Sequence, residues 1–255
     1  MDNSFFYQPP DIYQAKRILA IQPHYDDNDI GAGGTLAALS DRGAEIIYLT
    51  ITDDLVGVVD PDLPDEKATE QLINEQRLSG AVIGVKEHYW LNFPDAEISD
   101  YMELRRQIIR HIRMLKPDLL FTCDPWLPYE AHRDHVQTGL AASEACILAE
   151  FKRLKIDPQI DATYQPHPFL GIVFYYTHTP NLIFDISATQ KRKHDAIWQY
   201  RAQFTDESMA IVQYVLEGEE RQSGGSIGVT FGEPLKVMAP HQLHVNMRAW
   251  QPSIP

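Results

Sequence analysis

The sequence predicts an α/β fold built on a mainly parallel central sheet with helices on both faces. Three observations carry this reading. Short apolar runs recur along the chain, segments of helical period separate them, and glycine or proline stands at the joints. With 255 residues, 44% of them hydrophobic, the chain can enclose one sizeable core. It is therefore read as a single domain over 1–255, with a core at about 17–205 and a less regular C-terminal extension at 206–255.

The elements follow in order. "RILAIQP" (17–23) is apolar along its length, as a strand buried on both faces requires. "GTLAALSDRG" (34–43) has helical spacing and is closed by Gly43. "EIIYLTIT" (45–52) is the second strand, and an acidic, proline-containing loop runs from Asp53 to Asp65. An amphipathic helix extends from about Glu66 to Ile83 and stops at Gly84. "HYWLNF" (88–93) reads as a short strand, "YMELRRQIIRHIRMLK" (101–116) as a helix stopped by Pro117, and "DLLFTC" (118–123) as the fourth strand. After the loop "DPWLPYEAHRD" a helix is predicted over 135–155. "GIVFYYT" (171–177) and "LIFDIS" (182–187) are strands, and a helix follows around 188–203. In the remainder, "RQSGGSIG" (221–228) reads as an exposed turn.

Charge narrows the partners. Twenty-two Lys and Arg against thirty-six Asp and Glu give a net charge of −14, with no cationic run, which argues against nucleic acid and anionic membrane surfaces. A neutral or cationic small molecule is the easier ligand. No stretch approaches the ~20 apolar residues of a membrane helix. "MDNSFFYQPPDIYQAK" lacks the basic and apolar regions of a secretion signal. Cys123 and Cys146 match no zinc-ribbon or redox spacing and read as reduced cysteines of a cytoplasmic protein.

Two clusters carry chemistry. "IQPHYDDNDIGAGG" (21–34) leaves the first strand and at once presents His24, Asp26 and Asp27; "HRDH" presents His132, Asp134 and His135 after the fourth. In parallel sheets ligands sit at the carboxyl ends of strands, so both clusters face one edge. His24, Asp27 and His135 together make a His₂Asp set, which suits a zinc ion with one coordination position left open. Asp26 then lies beside the metal as a general base, and His132 donates to a developing oxyanion with Asp134 fixing its tautomer. Taken alone, "DDND" would read as a solvated turn; Asn28 and Asp29 are assigned to helix capping. "GAGGT" is neither a G-x-G-x-x-G nor a P-loop pattern, and three neighbouring carboxylates would repel a pyrophosphate. His88, His111, His167, His178, His194, His241 and His244 show no defensible ligand spacing. Asp95, in "NFPDAE", faces the same edge and could bind a substrate hydroxyl or only make a turn. Trp126 and Tyr129 could stack on a sugar ring or only anchor their loop.

"HYDD" (24–27) with "AHRDHVQTG" (131–139) resembles the LmbE/PIG-L family of zinc-dependent N-acetylglucosamine deacetylases, whose signatures are written HPDD(D/E) and HPDH. "FPDAE", "LKPDLLFTCDP" and "DISATQKRKHDAI" extend the likeness over roughly 17–205, and "YWLNFPD", "DPWLPYEAH" and "YYTHTPN" resemble the archaeal diacetylchitobiose deacetylase branch. The resemblance implies a Rossmann-like three-layer fold and one zinc on His24, Asp27 and His135. It also implies Asp26 as base, His132 as oxyanion stabiliser or acid, and a homo-oligomer, trimer or hexamer. The implied substrate is N-acetylglucosamine or a short chitooligosaccharide. Another N-acetylglucosamine conjugate is the alternative, and a metal- or sugar-binding subunit without turnover is the reading from a different class. The chain departs from the family at Tyr25 and Arg133, each in place of a proline, and at Leu72, where an Arg is frequent. Arg77 is the nearest candidate to replace that cation. Glu130 stands where many members have Tyr.

Overall fold

A computed structural model describes residues 8–249. The N-terminal stretch read for a leader therefore lies partly outside the described residues. Seven strands form the sheet: β1 (Arg17–Gln22), β2 (Glu45–Thr52), β3 (Val85–Phe93), β4 (Leu119–Cys123), β5 (Gly171–Tyr175), β6 (Leu182–Asp185) and β7 (Gly232–Met238). Their order is β3-β2-β1-β4-β5-β7-β6. β1 to β5 pair in parallel, while β7 runs antiparallel to both β5 and β6. The helices are α1 (Asp27–Asp41), α2 (Asp65–Ile83), α3 (Tyr101–Leu115), α4 (Arg133–Leu148), α5 (Pro158–Thr163), α6 (Gln190–Ile197) and α7 (Asp206–Ser226).

The apolar run of β1 divides by parity between two cores. Ile18 and Ala20 meet Leu36 of α1, Ile83 of α2 and Ala196 of α6 on one face. Leu19 and Ile21 meet Leu104 and Ile108 of α3 and Ala141 and Ala145 of α4 on the other. The result is the three-layer, mainly parallel architecture that the strand and helix spacing predicts. Because β1 lies between β2 and β4, the chain winds outward on both sides of it, and the carboxyl ends of β1 and β4 flank the topological switch point.

The boundaries differ from expectation in several places. α1 begins at Asp27 rather than at Gly34, so the acidic and glycine-rich segment is its first two turns. α4 starts at Arg133 and ends at Leu148, short of the expected 155, and α6 spans only Gln190–Ile197. Much of the described C-terminal extension is regular: α7 runs for 21 residues and β7 inserts between β5 and β6. Residues 221–226 of the expected turn are helical. Three glycines and an exposed Ile211, Tyr214 and Val215 blur the helical period of α7, although Thr205 caps it in the ordinary way, its Oγ1 accepting from the Ser208 N–H. The stops were legible: Gly84 closes α2 at φ +102, a conformation that favours glycine.

One packing feature gives a pH-dependent stability. His88 of β3 stacks on Trp90 at an interplanar angle of 9° and meets Tyr48 edge-on. Burial, and then the charge of Arg77, lower its pKa from 6.5 to about 4. Between those values the unfolded chain binds the proton and the folded chain does not, so native stability falls as pH drops from 6.5 towards 4. Allowing for partial exposure, His88→Phe is expected to remove on the order of 1–2 kcal/mol of that acid sensitivity. Urea midpoints of both proteins at pH 7 and pH 4.5 check it; parallel pH profiles would refute it.

Candidate metal centre

β1 ends at Gln22, and the chain turns through Pro23 to Asp26 before α1 begins. Gln22 fixes the turn: its Nε2 donates to the Tyr25 carbonyl at 3.1 Å, and its Oε1 accepts from the Asn28 N–H at 2.8 Å. Gln76 of α2 donates to the same Tyr25 carbonyl, and Thr52 Oγ1 donates to the Pro23 carbonyl. The second half of the site leaves β4 through residues 124–132 into α4. Gly139 lets α4 approach β4 closely; a Cβ there would lie 2.5 Å from the Cys123 carbonyl oxygen.

These constraints bring His24, Asp27 and His135 together. Asp27 Oδ2 lies 3.1 Å from His24 Nδ1, and its Oδ1 lies 3.4 Å from His135 Nε2. One donor atom from each of the three falls within a common 4.8 Å. The opposite edge of His24 serves a second group: Nε2 faces Asp95 Oδ1 at 3.4 Å and Asp134 Oδ2 at 3.6 Å, with His132 beside them. His24 thus offers Nδ1 to one group and turns Nε2 towards two carboxylates without a hydrogen bond to either, close to the arrangement that orients metal-ligating histidines.

The electrostatics fit a cation. Burial opposes charge on His24, but Asp134, Asp27 and Asp95 together raise its pKa above the ordinary value. Burial pulls Asp27 the other way, yet His135 and then His24 hold its carboxyl below the usual range. Such a cluster is short of positive charge, and a divalent cation with two imidazoles and one carboxylate relieves it. Asp26 behaves differently: burial first, and then the neighbouring Asp27, push its carboxyl up to about 7. His132 is held below 6.5 by burial and by the charge of His24 and His135, which favours the neutral ring.

His24, Asp26, Asp27, Asp95, His132 and His135 line one cavity of about 310 Å³, near the lower end of the ~300–1,000 Å³ of small-molecule sites. Of the predicted residues, Asp134 is buried beneath it; its Oδ2 accepts from the Ala96 N–H at 2.8 Å and faces His24. Asp134 thus bears on His24 through Oδ2, and it also stands in one cluster with His132, donor atoms of the two lying within 4.8 Å. Asp95 likewise accepts from the Val56 N–H and faces His24, which ties it to the centre rather than to a free turn. Trp126 and Tyr129 stay outside the cavity lining: Trp126 packs edge-on to Phe174, and Tyr129 is fully exposed at φ +67.

Asn28 and Asp29 are not caps. Asn28 Nδ2 donates to the Ala20 carbonyl, and buried Asp29 accepts from the hydroxyls of Tyr48, Ser79 and Tyr200. Three contributors had no local signal: Asp54 and Gln203 in the cavity wall, and Tyr176, whose ring lies parallel to His135 within 8°; Glu130, marked only as a family departure, faces His135 as well. The family departures have structural consequences. Tyr25 supplies an N–H to Asp54 Oδ2 at 3.1 Å, which a proline lacks, and Arg133 occupies the first helical position of α4, where proline is tolerated. Leu72 is fully buried against Tyr25, Tyr200 and Ala202, and Arg77 lies over the Trp90 ring, so neither brings a cation to the cavity.

Comparison with known proteins gives the same direction. Residues 19–146 match the family described as PIG-L, GlcNAc-PI de-N-acetylase. The diacetylchitobiose deacetylase of Thermococcus kodakarensis is 32% identical over 230 residues, covering 90% of this chain and 86% of that protein. The structure of N,N'-diacetylchitobiose deacetylase from Pyrococcus horikoshii superimposes with a TM-score of 0.86 at 36% identity, covering 92% of this chain and 88% of that one. A 4-carboxy-2-hydroxymuconate hydratase from Pseudomonas putida shares the fold at a TM-score of 0.70 and 16% identity, covering 86% of this chain and 95% of that one. The fold alone therefore does not decide the reaction.

Proposed function

Because the chain belongs to the PIG-L de-N-acetylase family, and so is an enzyme acting on an N-acetyl amide, we propose that it removes acetyl from N-acetylglucosamine or a short chitooligosaccharide such as diacetylchitobiose, with zinc as cofactor. The observation that carries this is Asp27 set between His24 and His135, with Asp26 beside it in the cavity. His24, Asp27 and His135 would hold the ion, which when bound polarises the acetamide carbonyl and acidifies water. Asp26 takes the proton of the attacking water as its oxygen bonds to the carbonyl carbon. Neutral His132 donates a hydrogen bond to the carbonyl oxygen as negative charge builds there. The proton on Asp26 then passes to the nitrogen, the C–N bond breaks, and acetate and a free amino sugar leave. Asp134 orients His132 from below and, with Asp95, faces His24; exposed Trp126 and Tyr129 are left for a second sugar unit beyond the cavity.

Incubating zinc-loaded protein with N-acetylglucosamine and with diacetylchitobiose tests this. Acetate should be released, cease on chelation and return with zinc. No acetate from either while zinc is bound would overturn the substrate assignment. The second reading, another N-acetylglucosamine conjugate, keeps the same centre and draws support from buried Leu72, which brings no cation to the cavity where family members often have an Arg. Profiling conjugates in the same assay separates the two. Cytoplasmic residence and a homo-oligomer, trimer or hexamer, belong to the same proposal; the buried free Cys123 and Cys146 support the first, and exposed Ile211, Tyr214 and Val215 on α7 support the second. No described helix is long and apolar enough to cross a membrane.

A further inference from the structure

His135 must present an unprotonated Nε2 if it is to ligate a metal, and an imidazole does so only when its proton sits on Nδ1. Glu130 is placed to hold that proton. Its Oε1 accepts from the His132 N–H at 2.7 Å, and its Oε2 lies 3.5 Å from His135 Nδ1. Within the described residues that ring nitrogen is buried and makes no hydrogen bond, and the Glu130 carboxylate is the charged group that faces it. The Glu130 side chain is only 19% exposed, so its charge is partly withdrawn from water. The remaining freedom of the ring is limited by Tyr176, which lies parallel to it. His24 shows the matching design from the other side, with Nε2 facing the carboxylates of Asp95 and Asp134.

Resting on the function proposed above, we propose that Glu130 is a positioning residue of the metal centre. It acts through His135: its carboxylate draws the proton to Nδ1, leaves Nε2 free for the ion, and through the His132 N–H ties the first turn of α4 to the same group. A glutamine cannot do both. If its oxygen keeps the His132 N–H, its amide nitrogen faces His135 and favours the tautomer with the proton on Nε2. If it turns over, the His132 contact is lost.

Zinc affinity, measured by competition with a chromophoric chelator on the full chain, tests this together with acetate release and the melting temperature of the metal-free protein. Glu130→Gln is expected to bind zinc about 10–100-fold more weakly while the metal-free protein melts as wild type does. Glu130→Ala should weaken binding at least as far; if it does not fold, the Gln variant decides alone. Wild-type zinc affinity in Glu130→Gln, with wild-type protein binding zinc and releasing acetate, overturns this role and leaves the proposed function standing. Wild-type protein that binds no zinc overturns both.

Discussion

Asp26→Asn is expected to lower acetate release by about 10²–10⁴-fold while zinc content stays that of wild type. The adjacent Asp27→Asn should behave oppositely in one respect and lose the metal. The two carboxylates are neighbours in sequence but have different surroundings. Asp27 accepts from the His24 N–H at 3.0 Å and faces both candidate imidazole ligands. Asp26 caps no helix N–H with its side chain and lines the cavity, with a carboxyl that burial and Asp27 raise to about 7. A carboxylate set beside the centre and not on it can take a proton and return it within one turnover. Asparagine has the same shape and cannot. His132→Ala should cost about 10²–10³ through loss of the oxyanion donor. Metal analysis beside turnover checks the series: Asp26→Asn with more than a tenth of wild-type activity would remove Asp26 from the mechanism.

The half of the site that could be read in advance is the half written locally. An unbroken apolar strand followed at once by His24, Asp26 and Asp27 marks a strand exit, and the fourth strand followed by His132, Asp134 and His135 marks another. The parallel-sheet rule then places both at one edge, where β1 and β4 flank the switch point. What escaped is what long-range contact decides. Asp29 looks like a capping residue within its own segment, yet it is satisfied by Tyr200, 171 positions away. Asp134 stands with its neighbour His132 as its spacing implies, but its second partner, His24 from the other strand exit, has no local trace. Glu130 stood out only as a departure from a family pattern until the fold set it 3.5 Å from His135. The start of α1 was missed because glycines and carboxylates discourage helix in isolation, and here they allow close packing and face a polar centre. β7 was missed because "GEPLKVM" alternates poorly and holds Pro234; its burial comes from insertion between β5 and β6.

Lys193→Met is expected to destabilise the protein by about 3–5 kcal/mol, the cost of leaving buried charge unpaired. Lys193 on α6 is 2% exposed, with Nζ 2.8 Å from Glu220 Oε1 and 2.9 Å from Glu233 Oε1. Both carboxylates have further work. Glu233 of β7 accepts from the N–H groups of Gly34 and Thr35 in the middle of α1, and Glu220 of α7 pairs with His194 Nε2 at 2.9 Å. One cation thus joins α6, α7 and β7, and through Glu233 it steadies the helix whose first turn carries Asp27. Methionine fills most of the space of the lysine stem, so the loss is electrostatic rather than a cavity. The control follows from that: Glu220→Gln placed in the Lys193→Met background removes a buried charge that has lost its lysine and keeps only His194 as an ion-pair partner, and should recover about 1–2 kcal/mol. Urea midpoints at constant m-value measure both steps. A loss below about 1 kcal/mol in the single variant would mean that water reaches the cluster and screens it. Below its melting range the Lys193→Met protein should still bind zinc, because Lys193 pairs with Glu220 and Glu233 and not with His24, Asp27 or His135.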